Sequence, residues 1–126
     1  MQNVEAPESR LLYRVLEGRT ATMRDFMSKA ALGEPLRLPH TAKRRRLHEG
    51  LSLYASLEAA RDRAQRFRPP PTHVAAVAVP LNGSIPFEQT GIDPEHFTVW
   101  AAPATLLELV TSTVEVEPLA GDEQSR

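Results

Sequence analysis

Apolar residues along the chain fall in short blocks, some alternating with polar residues and some recurring at helical spacing, so strands and helices are expected in turn. Residues 10–16 (RLLYRVL) predict a strand with Tyr13 and Arg14 on opposite faces. Residues 22–32 predict the best-signalled helix. Thr22 and Asp25 make a capping-box-like start, Met23, Phe26, Met27 and Ala30 share a helical stripe, and Gly33 with Pro35 stops it. Residues 36–49 are polar and basic and predict a loop with one helical turn. A strand over 50–54 (GLSLY) follows, with Leu51 and Leu53 on one face and Ser52 and Tyr54 on the other. Ser56 then caps a helix over 57–67 whose stripe is Leu57, Ala60, Ala64 and Phe67, ended by Pro69, Pro70 and Pro71.

The continuous apolar run 73–79 (HVAAVAV) predicts a central strand covered on both faces. An irregular connection with a short edge strand near 85–87 leads to a strand over 97–101. A short helix over 104–110 follows Pro103, and a last alternating strand covers 111–117. The order β α β α β β α β predicts a single compact α+β domain over residues 10–117, with a mixed, mostly antiparallel sheet and short flanking helices. Residues 1–9 and 118–126 are polar, lack periodicity and are expected to be tails.

A chain of 126 residues fits one hydrophobic core, and 41% hydrophobic with 25% charged residues is ordinary for a globular protein. The N-terminal residues lack a signal-peptide pattern and no run approaches the roughly 18 apolar residues of a membrane span, so no membrane partner is expected. The absence of cysteine excludes disulfides and thiolate chemistry and suits a cytoplasmic location. Charge is divided unevenly: residues 10–68 hold 14 of the 15 Lys and Arg against 6 acids, and residues 69–126 hold one basic residue against 8 acids. Such a division implies either an anion-binding face or pairing between the two halves.

The run Lys43, Arg44, Arg45 and Arg46 is either a solvated loop or a grip for the phosphates of a nucleic acid or another partner. No aromatic residue interleaves with it, so base stacking is not expected. His40, His48, His73 and His96 share no metal-ligand spacing, and no metal is expected. Trp100, the one tryptophan, is expected in the core.

Three pieces in order, Leu12-Tyr13-Arg14-Val15, Gly50-Leu51-Ser52-Leu53-Tyr54 running into a helix with Ala59 and Ala64, and Glu95-His96-Phe97-Thr98-Val99-Trp100, resemble the ADP-ribosyltransferase-like superfamily. That superfamily includes mono-ADP-ribosylating toxins, poly-ADP-ribose polymerases and RNA 2′-phosphotransferases. The segment 50–67, and Val99-Trp100 followed by Pro103, Leu106 and Leu107, look most like the phosphotransferases. The chain lacks a Ser-Thr-Ser triplet, a paired-glutamate loop and the full basic set of those enzymes.

The resemblance implies a split sheet and NAD as the ligand, with transfer of ADP-ribose to a macromolecule or cleavage of NAD as the reaction. It implies Arg14, Ser52 and Glu95 as the catalytic set. Arg14 would offer a planar fork to a phosphate or ribose, Ser52 a positioning hydroxyl, and Glu95 a carboxylate to stabilise positive charge as nicotinamide leaves. Tyr13, Arg14, His48, Ser52, Tyr54 and His96 would line the nucleotide site. Each has a plainer reading: Arg14 as an ion-pair partner, Ser52 and Tyr54 as ordinary strand residues, Glu95 as an exposed turn acid after Asp93-Pro94, and the histidines as inert strand ends. A non-catalytic interaction module, binding a protein or nucleic acid through Lys43, Arg44, Arg45 and Arg46, is the alternative.

Overall fold

The computed structural model describes residues 8–36 and 40–116. The expected tails lie, but for Glu8 and Ser9, outside the described residues. Six strands, β1 (Ser9–Val15), β2 (Leu51–Tyr54), β3 (His73–Pro80), β4 (Phe87–Gln89), β5 (His96–Val99) and β6 (Val110–Glu115), form one sheet in the order β4-β5-β2-β1-β3-β6. Every pairing among the described strands is antiparallel, so the sheet holds none of the parallel pairs that a mixed sheet would contain. The long β1–β3 ladder registers Ser9 to Val15 against Pro80 to Val74, whereas β1 and β2 are registered at Tyr13 opposite Tyr54 alone.

Side-chain alternation gives the sheet two dissimilar faces. Leu12, Leu16, Leu51, Leu53, Ala75, Val77, Val79, Phe97 and Val99 form the larger core with Phe26, Ile85 and Leu106. The opposite face carries Tyr13, Val15, Tyr54 and Val74 and is covered by helix α2 (Leu57–Ala64) through Leu57 and Ala60. β3 is buried on both faces over Val74, Ala75, Ala76 and Val77, as its continuous apolar run predicts.

Two helices depart from expectation. Within 22–32 only a 3-10 turn forms, Met23–Phe26. Asp25, buried, spends its carboxylate on the backbone N–H of Glu17 and on the N–H and hydroxyl of Thr22, at 2.9, 2.9 and 3.0 Å. Its carbonyl, the acceptor that Lys29 would use in an α-helix, takes Arg14 Nε at 2.7 Å. Met27 is extended, and a separate turn over residues 28–33 closes at Gly33, φ +82°. The capping signal was therefore real but started a tight turn tied to β1.

Conversely, residues 36–49 contain a true helix, α1 (Ala42–His48), N-capped by Thr41 Oγ1 accepting from Arg44 N at 3.1 Å. α2 stops at Ala64, leaving Phe67 41% exposed beneath Arg63 rather than on the packing stripe. Helix α3 (Pro103–Glu108) follows its proline as expected and buries Leu106. Trp100 is partly exposed, not core. Arg46 covers its ring at 3.9 Å, and its Nε1 donates to the Arg46 carbonyl at 2.8 Å. Gly50 makes room beneath that ring, since a Cβ there would collide with Thr98 Cγ2 and meet Trp100 Nε1 at 2.8 Å.

Candidate functional site

Two clefts border β2. One, of about 350 Å³, is lined by Arg14, Lys29, Arg44, His48, Gly50 and Ser52 among others; it is the arginine cleft. Within it Arg14, on the core side of β1, bridges the parting strands: Nε donates to the Asp25 carbonyl and Nη1 to the Ser52 carbonyl at 2.9 Å. Burial lowers the guanidinium's pKa, an effect opposed chiefly by the nearby Asp25 carboxylate. Two of its nitrogens are thus committed to the fold, and among the described residues it makes no ion pair with an acid of the C-terminal half. His48 lines the same cleft, its Nε2 donating to the Glu34 carbonyl at 2.8 Å.

The second cleft, about 490 Å³, lies between α2 and the loop leading into β5. Tyr54, Arg63, Arg66, Thr90, Glu95 and His96 line it. Tyr54 and His96 stand opposite each other on β2 and β5 and meet edge to face, with centroids 5.5 Å apart and planes at 69°. Burial pushes the Tyr54 phenol up, against the pull of Arg63 and Arg14. The phenol is therefore neutral at physiological pH and can donate a hydrogen bond. The sign of the linkage follows. Stability from a protonated Tyr54 is complete below the ordinary phenol value of 10.0 and falls as pH rises through the higher folded value. Thermal midpoints measured from pH 8 to 11 are expected to fall more steeply for wild type than for Tyr54→Phe.

Glu95 sits at the foot of β5, where its Oε1 accepts from Ser56 Oγ at 2.8 Å. The same Ser56 hydroxyl accepts from Ala59 N, so the carboxylate is fixed to the N-cap of α2.

One contact joins the clefts. Ser52 Oγ lies 2.9 Å from His96 Nε2. His96 Nδ1 lies 3.0 Å from the Thr90 carbonyl and 3.1 Å from Thr90 Oγ1; in the neutral ring a proton on Nδ1 serves the carbonyl, which can only accept, and leaves Nε2 to accept from the Ser52 hydroxyl. Thr90 Oγ1 also bonds Thr98 Oγ1 at 2.6 Å, completing a polar seam across β2 and β5.

The structure thus divides the residues expected to act together. Arg14 and Ser52 line the arginine cleft with His48, while Glu95, Tyr54 and His96 line the other. Tyr13 lines neither, because alternation turns it against Ala60, Val74 and Val116 under α2. Arg63, Arg66 and Thr90 did not emerge from the sequence. The two arginines stand three residues apart at and just beyond the end of α2, a spacing that could have signalled a pair, but Thr90 has no local signal. Lys43, Arg44, Arg45 and Arg46 are all exposed on α1, and of these Arg44 borders the arginine cleft. Among the described residues no group of three or more His, Cys, Asp or Glu is arranged to hold a metal, and no helix is long and apolar enough to cross a membrane.

No protein-family model matches the chain, and neither curated proteins nor solved structures give a significant match.

Proposed function

We propose that the chain is an NAD-binding, ADP-ribosyltransferase-like protein whose ligand spans both clefts. The observation that carries this reading is the Ser52–His96 hydrogen bond, in which a residue lining the arginine cleft meets a residue lining the cleft of Tyr54 and Glu95. A dinucleotide has two aromatic ends joined by two phosphates, and the linings of the two clefts offer chemistry for each part. Tyr54 and His96 present ring surface to an aromatic base. Lys29 and Arg44 on one side, and Arg63 and Arg66 on the other, supply positive charge for phosphates.

Glu95, held by Ser56, is the carboxylate placed to stabilise an oxocarbenium-like ribose as the bond to nicotinamide breaks. The reaction is then cleavage of that glycosidic bond, with ADP-ribose passing to water or to an acceptor on a macromolecule. In this arrangement Arg14 is a positioning residue that holds the Ser52 strand, and Ser52 orients His96.

The test is chromatographic detection of nicotinamide released from NAD. Glu95→Gln keeps the oxygen that Ser56 holds but removes the charge. The expected result is a fall in release of at least a hundredfold with NAD binding retained, the pattern of a group acting mainly in the transition state. Equal release by wild type and Glu95→Gln would overturn the catalytic role, and absence of NAD binding by the wild type would overturn the reading as a whole.

A further inference from the structure

α1 is held firmly yet buries none of its residues. Its ties are polar: the Thr41 cap, the bond from Trp100 Nε1 to the Arg46 carbonyl, the bond from Ala30 N to the His48 carbonyl at 3.2 Å, and the His48 side chain on Glu34. A short helix fixed in place without contributing to the core has another reason to be ordered. Four of its residues, Lys43, Arg44, Arg45 and Arg46, are consecutive cations, all exposed. Successive residues on a helix are about 100° apart, so the four charges fan around about 300° of its circumference. Such a distribution suits a helix flanked by negative charge on more than one side better than one lying on a flat acidic surface.

The uneven charge along the chain supports this. Among the described residues the one ion pair is Arg24 with Glu17 at 3.4 Å, both from the basic half. Among these residues no ion pair joins the two halves. Glu34 and Glu49, the acids nearest α1 along the chain, make no ion pair with it. Arg46 lies on the face of Trp100, while Lys43, Arg44 and Arg45 have no acidic partner among the described residues.

We infer that α1 binds duplex DNA by entering the major groove and contacting phosphates on both walls. The major groove of B-form DNA is about 12 Å wide and admits an α-helix of about 10–12 Å diameter. The corresponding groove of A-form RNA is too narrow for one. Contact with backbone phosphates, without a base-reading set of side chains, makes the binding strongly salt-dependent and weakly sequence-dependent. The inference stands apart from the NAD reading although Arg44 borders the arginine cleft, since DNA binding is read in the absence of NAD.

The experiment is fluorescence anisotropy of the full chain with a labelled 20-base-pair DNA duplex across salt concentrations. Duplex RNA and polyglutamate serve as comparison ligands, and the triple variant Lys43→Gln, Arg44→Gln, Arg45→Gln as comparison protein. Four phosphate contacts predict a logarithmic salt slope of about −3.6, on the order of a hundredfold loss of affinity between 50 and 200 mM salt. Removing three of the four should bring the slope to about −0.9. The substituted residues are exposed, so an unchanged circular dichroism spectrum is expected to accompany that loss. No saturable binding of duplex DNA at 50 mM salt, a wild-type slope in the variant, or equally tight binding of RNA or polyglutamate would each overturn the inference.

Discussion

Arg14→Ala is expected to destabilise the domain by about 3–5 kcal/mol, measured as a shift in urea midpoint at constant slope. The guanidinium bridges three chain segments at once: β1 that carries it, the 3-10 turn through the Asp25 carbonyl, and β2 through the Ser52 carbonyl. Hydrogen bonds from a charged donor are worth about 1.5–3 kcal/mol each, and truncation leaves both carbonyls without this donor. The loss is large against a total stability of about 5–15 kcal/mol for a domain of this kind. Arg14→Lys separates the planar fork from the charge: one ammonium cannot span both carbonyls, so less than half of the lost stability should return. Full recovery with lysine would mean that charge alone, and not the two-pronged bridge, holds the strands.

Phe26→Ala should cost about as much, 3–5 kcal/mol by the usual range for a buried phenylalanine (~4 kcal/mol at mid-range). Phe26 is 1% exposed and is the largest fully buried side chain among the described residues. It pins the 3-10 turn into the larger core, on the side where α3 packs against that turn. Phe67→Ala is the internal control. At 41% exposure its ring covers little of the core, and its removal should cost less than about 1 kcal/mol. Comparable losses from the two substitutions would contradict the observed end of α2.

These two residues also show how much of the fold was legible. Phe26 and Asp25 were recognised as parts of a helix start, because Thr22, Asp25 and the apolar spacing are local signals. What ended the helix was not local. Arg14, eleven residues earlier, takes the Asp25 carbonyl, and propensity carries no information about such a partner. The reverse happened at α1, where the absence of any apolar stripe concealed a helix that buries none of its residues. Strands were easier to read, since alternation in GLSLY and the apolar run of β3 report burial directly.

The candidate site was legible residue by residue but not as an assembly. Arg14, Ser52, Tyr54, Glu95, His48 and His96 all border a cleft, yet they are distributed over two, and Ser52 and Tyr54, on one face of β2, fall in different ones. Whether neighbouring strand residues face one cavity depends on where a sheet parts, and here it parts at the β1–β2 seam, beyond Tyr13 and Tyr54. Ser52 and His96 are 44 positions apart in sequence, so their hydrogen bond had no signal in either segment alone.

Occupation of both clefts by one dinucleotide can be read from the imidazole resonances of the four histidines during titration with NAD. His48 lines the arginine cleft, His96 lines the cleft of Tyr54 and Glu95, and His73 borders neither. The account predicts that His48 and His96 shift together, saturably and with the same dissociation constant, while His73 stays in place. Shifts of neither ring, or of the two rings with different midpoints, would contradict it.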